Sequence, residues 1–295
     1  MAEPTVAVLG AGRMGGAMAE RLAAQGVAVV VYNRSPDRAT KLAGRIGASV
    51  ADTPAEAAST ADVVISMVAD DAAVRTLFDG PDGVAAGIRA GAVAVDCSTV
   101  LPDTIRAVAD AVRARDAGIL DAPVSGSVSS TLAGELTIMA GGDEADLERA
   151  RPVLDRIARR IFHVGPLGTG AAMKLAVNTL IFGLNGAVAE GLLLAERNGI
   201  ARALAYDVFA ASAAGAPFVG YKRAAFVEPD ATPVAFSLEL AAKDLGLIRQ
   251  LAETSGTPMP QSATNLEVIR AAEGSVGEDA DLSMVASHLR QGGRR

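Results

Sequence analysis

Thr5-Val6-Ala7-Val8-Leu9-Gly10-Ala11-Gly12-Arg13-Met14-Gly15 is an apolar, β-branched run that breaks into three glycines at fixed spacing. The run reads as a buried strand, and residues 14–25, with apolar side chains at helical spacing, read as the helix that follows. The three glycines have distinct uses. Gly10 permits a tight reversal, Gly12 lets a phosphate approach the backbone, and Gly15 lets the helix pack closely on the strand. The start of the helix offers N–H groups and the positive end of its dipole to an anion. In a chain with 31 glycines such a motif can arise by chance. Its strand–turn–helix setting makes it a dinucleotide-binding turn, with Gly10, Ala11, Gly12, Arg13, Met14 and Gly15 as the expected contacts.

Outward from this turn, short apolar runs recur at residues 28–32, 48–50, 63–67, 92–96, 119–121, 136–140 and 161–164. Helical patterns such as residues 102–117 and 144–158 lie between them. Continuous apolar strands alternating with helices predict a parallel sheet covered on both faces. The alternation stops near Val164, where Gly165-Pro166-Leu167-Gly168-Thr169-Gly170 has loop composition. A long helix is expected over 171–197, stopped by Asn198-Gly199, and helical patterns continue to the end. The fold class is therefore α/β: an N-terminal Rossmann-type doubly wound parallel sheet over 1–164, then an all-helical C-terminal domain over 165–295, joined by a long interdomain helix. No internal repeat is evident, and the last residues, 292–295, are expected to fray.

Composition narrows the function. Half of the 295 residues are apolar, Trp is absent, and the net charge is −7. That charge gives no general attraction for nucleic acid or an anionic membrane. The single cysteine, Cys97, excludes an intrachain disulfide and reads as a small buried residue. The N-terminal residues run straight into a strand without a basic region, so no secretory signal is expected and the cytoplasm is the expected compartment. The apolar stretch 171–195 carries Lys174, Asn178, Asn185 and Glu190. A membrane span should be nearly free of such groups, so a buried helix is expected instead. Because it is apolar nearly all round, a shared dimer interface would account for its burial. The two histidines, His163 and His288, have no partners at metal-ligand spacing, which argues against a metal centre or a Ser-His-Asp triad.

The end of the second strand selects the dinucleotide. An NAD site places a carboxylate there for the ribose hydroxyls. This chain has Tyr32-Asn33-Arg34-Ser35, with Arg38 one helical turn beyond Arg34. Neutral Asn33 does not repel a 2′-phosphate, and a guanidinium at Arg34 can grip one, whereas the bland reading makes both arginines solvated charges. The location favours NADP(H). Met67, Val68 and Thr99 stand at later strand ends, where the same ligand should pass.

Lys174 and Asn178 are four apart and share a helix face, with Asn185 close to the same line. By position alone Lys174 reads equally as a snorkelling lysine or as a functional group. What separates the two is a resemblance. The glycine turn, the segment DAPVSGSVSSTLAGELTIMAGG over 121–142, GPLGTGAAMKLAVN over 165–178, and Lys243-Asp244-Leu245 resemble the β-hydroxyacid dehydrogenase family, whose best-known members act on 3-hydroxyisobutyrate. The resemblance implies a proton-transfer lysine at Lys174 and a substrate-orienting amide at Asn178. It also implies carboxylate-binding donors at Ser125-Gly126-Ser127, Lys243 reaching toward cofactor and substrate, and Thr99 near the nicotinamide ribose. Lys243 otherwise reads with Asp244 as a surface ion pair, and the match favours function for Lys243 more than for Asp244.

These roles suit hydride transfer, because an ammonium can stabilise and protonate the oxyanion formed on a reduced carbonyl. The expected enzyme is an NADP-dependent hydroxy acid dehydrogenase or semialdehyde reductase, assembled as a homodimer or homotetramer. Departures from the family pattern lie at Ser127, where another glycine is usual, at Ser129-Ser130, where a Gly-Ala pair is usual, and in the missing pocket Trp. Phe218, Tyr221 or Phe236 could take that place, and the differences put 3-hydroxyisobutyrate itself in question. An imine reductase, which usually replaces the lysine, and a non-catalytic NADPH-binding module are the alternatives.

Overall fold

A computed structural model describes residues 3–292. Residues 1–2 and 293–295 lie outside the described residues, and with them most of the end expected to fray. The chain divides into two compact units, residues 1–174 and 175–295.

The first unit opens with β1 (Thr5–Leu9), α1 (Arg13–Ala24), β2 (Ala28–Tyr32), α2 (Pro36–Ile46), β3 (Ser49–Val50), α3 (Pro54–Thr60) and β4 (Val63–Ser66). It continues through α4 (Asp71–Asp79), α5 (Val84–Gly87), β5 (Val93–Asp96), α6 (Pro102–Arg113) and β6 (Gly118–Asp121). Then come β7 (Val124–Ser125), α7 (Val128–Ala133), β8 (Leu136–Gly142), α8 (Glu144–Leu154), β9 (Ala158–Gly165) and the start of α9 (Thr169–Arg197). The helix starts follow local chemistry. Thr53 accepts from the Glu56 N–H and Asp70 from the Ala73 N–H, and Pro36 and Pro54 occupy the first turns of their helices.

The strands run in the order β3-β2-β1-β4-β5-β6, all parallel. The order reverses between β1 and β4, which opens a crevice at their carboxyl ends. β1 shows why the sheet is covered twice. Val6 and Val8 enter one core with Leu22, Val29 and Leu147, whereas Ala7 and Leu9 enter the other with Val64, Ile105 and Ile119.

The structure refines the sequence reading in three places. The sheet is not wholly parallel, since β8 runs antiparallel to β6 and β7 before β9 pairs parallel to β8. The two-residue β7 carries too little pattern to be seen in advance. The helix expected over 144–158 stops at Leu154, and Ala158 already begins β9.

Among the described residues of the second unit the regular elements are helical. The rest of α9 is followed by α10 (Arg202–Ala211), α11 (Pro217–Val227), α12 (Leu238–Ser255), α13 (Pro260–Val276) and α14 (Val285–Gly292). Two short 3-10 turns at Pro229–Ala231 and Leu282–Met284 and one isolated bridge, Ser237 to Asp281, complete it. α9 is long and apolar enough to cross a membrane, yet only 33% of its most apolar window is buried in the chain. The burial on more than one side expected for it is therefore not reached within one copy. Met173, Leu180 and Leu194 are exposed.

Candidate active site

The turn after β1 is shaped by contacts a side chain could not survive. Gly10 has φ +112, and a Cβ on it would sit 2.3 Å from the Met67 carbonyl oxygen. A Cβ on Gly15 would lie 2.0 Å from the Gly10 oxygen. Gly12 differs, because a Cβ there would meet nothing within 4 Å, and no side chain caps α1. The first and third glycines thus close the strand–helix junction, while the second leaves an open face at a helix N-terminus. That arrangement fits a dinucleotide pyrophosphate.

At the end of β2, Asn33 does more than the sequence indicated. Its Oδ1 accepts the Ala11 N–H at 2.9 Å and its Nδ2 donates to the Ser35 carbonyl at 3.0 Å. The side chain braces the glycine turn against the start of α2. Arg34, Ser35 and Arg38 are exposed. A groove of about 500 Å³ borders Gly12, Arg13, Glu20, Arg38, Lys41 and Arg45, so the glycine turn opens onto a rim where four cations face one carboxylate, Glu20, itself paired with Arg45.

Two neighbouring strand ends, those of β4 and β5, carry a buried polar group of their own. Ser66 and Ser98 donate their hydroxyls to Asp96 Oδ1 at 2.6 and 2.8 Å, and the Val68 N–H donates to Ser98 Oγ at 3.0 Å. Asp96 therefore fixes the two loops that hold Met67, Val68 and Thr99. Burial pushes its carboxyl up to about 6, opposed by the serine hydrogen bonds. Burial also pushes the adjacent Cys97 thiol up, so it is no nucleophile. Past β6, Ser125 lies in β7 and Gly126 has φ +147. Ser127 caps α7, accepting the Ser130 N–H at 3.2 Å, with the Ser129 and Ser130 hydroxyls at 2.7 and 3.1 Å. Its hydroxyl is thereby tied to the two serines that stand where a Gly-Ala pair is usual. Lys174 is half-buried in the second turn of α9.

In the second unit, Asn178 Nδ2 donates to Asp244 Oδ2 at 2.8 Å, and Lys243 Nζ lies 2.9 Å from Asp244 Oδ1. Asp244 is 2% exposed. The residue ranked below its neighbour in sequence is the one that joins the other two. The signal was available, because Asp244 falls on the face of α12 that buries Ala241, Leu245 and Ile248. Asn185 donates to the Leu282 carbonyl at 3.1 Å, a structural bond. Of the three aromatic candidates, Phe236 stacks at 6.3 Å on Phe182, which lies one turn beyond Asn178 on α9. Phe218 and Tyr221 pack on each other instead.

A glycine-turn sheet followed by a long apolar helix with Lys and Asn on one face, and then by further helices, defines a nicotinamide dinucleotide oxidoreductase. The chain belongs to the β-hydroxyacid dehydrogenase family and is a hydroxy acid or semialdehyde oxidoreductase. Residues 5–165 match the NAD binding domain of 6-phosphogluconate dehydrogenase. Residues 168–289 match the NAD-binding family of NADP-dependent 3-hydroxyisobutyrate dehydrogenase. The chain is similar to the NAD-dependent L-serine dehydrogenase of Pseudomonas aeruginosa, at 35% identity over 90% of this chain and 91% of that one. It is similar to glyoxylate/succinic semialdehyde reductase 2, chloroplastic, of Arabidopsis thaliana, at 33% identity over 97% and 79%. Among solved structures it resembles the 3-hydroxyisobutyrate dehydrogenase of Mycobacterium tuberculosis described with L-serine. There the TM-score is 0.85 at 31% identity, over 98% of this chain and 100% of that one.

Proposed function

We propose that this oxidoreductase uses NADP(H) to interconvert a short semialdehyde and its hydroxy acid, with Lys174 as the proton donor and acceptor. The observation that carries the reading is Lys174 itself, a half-buried lysine in an apolar helix with Asn178 one turn further along. The nicotinamide, when bound, supplies or accepts the hydride. In reduction the Lys174 ammonium stabilises the developing oxyanion and releases its proton to that oxygen. In oxidation the same nitrogen, neutral, takes the alcohol proton. Asn178, its amide oriented by Asp244, holds the substrate hydroxyl or carbonyl. Ser125, Gly126 and Ser127 offer donors to the carboxylate, Lys243 adds positive charge, and Phe236 lines the apolar side.

NADPH is preferred to NADH in this reading because Arg34 and Arg38 are exposed at the end of β2 and no carboxylate stands at position 33. One related enzyme is named as NAD-dependent, so the preference has a clear rival. A second copy of the chain covers the exposed side of α9, as a homodimer or within a homotetramer.

The test is initial-rate oxidation of NADPH, and of NADH beside it, with methylmalonate, tartronate and succinate semialdehydes, glyoxylate and a cyclic imine. Turnover of a semialdehyde with NADPH preferred is expected, and Lys174→Ala should lower it by about 10²–10⁴-fold. NADH preferred or equal overturns the Arg34 assignment. Turnover of the imine alone assigns imine reduction instead, and tight NADPH binding with no lysine-dependent turnover leaves a binding module.

A further inference from the structure

Asp121 opens the segment that supplies the Ser125-Gly126-Ser127 turn, yet neither the proposed chemistry nor the sequence pattern gives it a role. It ends β6, is 1% exposed, and lies in register beside Asp96 at the end of β5. Its two oxygens are spent on one object. Oδ1 accepts the Gly168 N–H at 2.8 Å and Oδ2 the Ala171 N–H at 2.7 Å. Those donors lie at the N-terminus of α9, where N–H groups have no partner within the helix and a negative charge is favoured. Burial raises the carboxyl above its ordinary value, opposed by these hydrogen bonds, which favour its charged form.

The approach is as close as backbone allows. A Cβ on Gly170 would lie 2.3 Å from the Met139 carbonyl oxygen and 2.4 Å from that of Asp121. A Cβ on Gly141 would lie 2.5 Å from Asp121 Oδ1 and 2.7 Å from the Gly170 nitrogen. Gly165 and Gly168, at φ +130 and +94, turn the chain from β9 into this position. Arg106 holds the loop from its other side, donating to the Leu167 carbonyl at 3.2 Å. The first turn of α9 is therefore clamped to the carboxyl end of the sheet, at the edge where ligands of such sheets bind. Lys174 follows Ala171 by three residues, about 4.5 Å along the helix axis.

We propose that Asp121 is a positioning residue for Lys174. Through the Gly168 and Ala171 amides it sets the height and rotation of the turn that carries the lysine, and it touches neither substrate nor cofactor. The inference rests on the role given above to Lys174.

A double-mutant cycle tests it on the intact enzyme. In Asp121→Asn one oxygen becomes an NH₂ group facing an N–H donor, so one anchor is lost with little change in size. The expected result is a kcat lower by about 10–100-fold, the scale of a misplaced reacting group. KM for NADPH, and its Kd by fluorescence, should move less than about threefold. In the Lys174→Ala background the same substitution should change kcat by less than about threefold, because residues acting as a unit are not additive.

Additive losses in the cycle, or a kcat within about twofold of the unmodified enzyme, overturn the inference. Where Asp121→Asn does not fold, Gly170→Ala replaces it in the cycle, lifting the same turn while keeping the carboxylate. If the unmodified enzyme shows no Lys174-dependent turnover, the proposed function falls by itself. The anchor is then read by amide exchange over residues 168–175, which Asp121→Asn must accelerate at least about tenfold to uphold it.

Discussion

At Asp96, burial and hydrogen bonding pull the carboxyl in opposite directions, and burial is the stronger. The folded group keeps its proton to about pH 6, whereas in the unfolded chain it is lost near 3.8. A folded value above the unfolded one means that the native state binds the proton more tightly. This group's contribution is thus fully present below pH 3.8 and is lost as the pH rises through 6. The full difference corresponds to about 3 kcal/mol, of which about 2 kcal/mol falls between pH 4.5 and 7.5. Asp96→Asn keeps an oxygen for the Ser66 and Ser98 hydroxyls but has no proton to lose. Urea unfolding at pH 4.5 and 7.5 should show that contribution in the unmodified chain and not in the variant; an equal pH dependence in both would refute the assignment. None of this was legible in advance, because the groups that Asp96 organises come from strands about thirty positions apart in the sequence.

Among the helices of the second unit, one buried ion pair ties three segments together. Lys222 of α11 donates to both oxygens of Asp281 at 2.7 and 2.9 Å, and the pair is almost fully buried. The same carboxylate accepts the Ala235, Phe236 and Ser283 N–H groups, so it also fixes the loop that carries Phe236. Despite its burial, Lys222 and these amides hold the Asp281 carboxyl below the ordinary carboxylate range. Its contribution is therefore present at neutral pH and is lost only as pH falls below that range. Lys222→Met leaves the carboxylate uncompensated and should cost about 3–5 kcal/mol in urea unfolding at pH 7. A cost below about 1 kcal/mol would mean that the three amides suffice without the ammonium. Elements themselves were the most legible level of this molecule. β1 and β2 were readable to the residue because runs such as Val29-Val30-Val31 have one reading between a glycine and a polar end. Strand direction was not readable, since β8 has the same apolar pattern in either sense. The site divided along the same line. The glycine turn and the Lys174–Asn178 spacing are local and showed themselves, while Asn33 bracing Ala11, Asp244 joining Asn178 to Lys243, and Asp121 anchoring Ala171 depend on tertiary contacts.

For the whole molecule, the unresolved quantity is its apolar surface. Met173, Leu180, Ala187 and Leu194 recur every seventh residue along α9 and are all exposed, Leu180 and Leu194 at 66% and 69%. Seven residues are nearly two helical turns, so the four form one stripe down the helix. On α10, Leu204 and Val208 are exposed at 59% and 57% and share a face by their four-residue spacing. Single exposed apolar residues are ordinary, but a continuous row of this kind marks an interface. With a net charge of −7 the chain repels its own copies at long range, and apolar contact must outweigh that repulsion at short range. Proposed here as the self-association surface, the stripe predicts a dimer or tetramer by light scattering. Leu180→Glu combined with Leu194→Glu should convert it to monomer without lowering the stability of the isolated fold, since neither side chain is buried in one copy. Salt separates the forces further: screening at about 0.5 M should strengthen an apolar, like-charged association and weaken one held by ion pairs. A monomeric unmodified chain at micromolar concentration, or an oligomer indifferent to both glutamates, would place the interface elsewhere and leave the row on α9 to another partner.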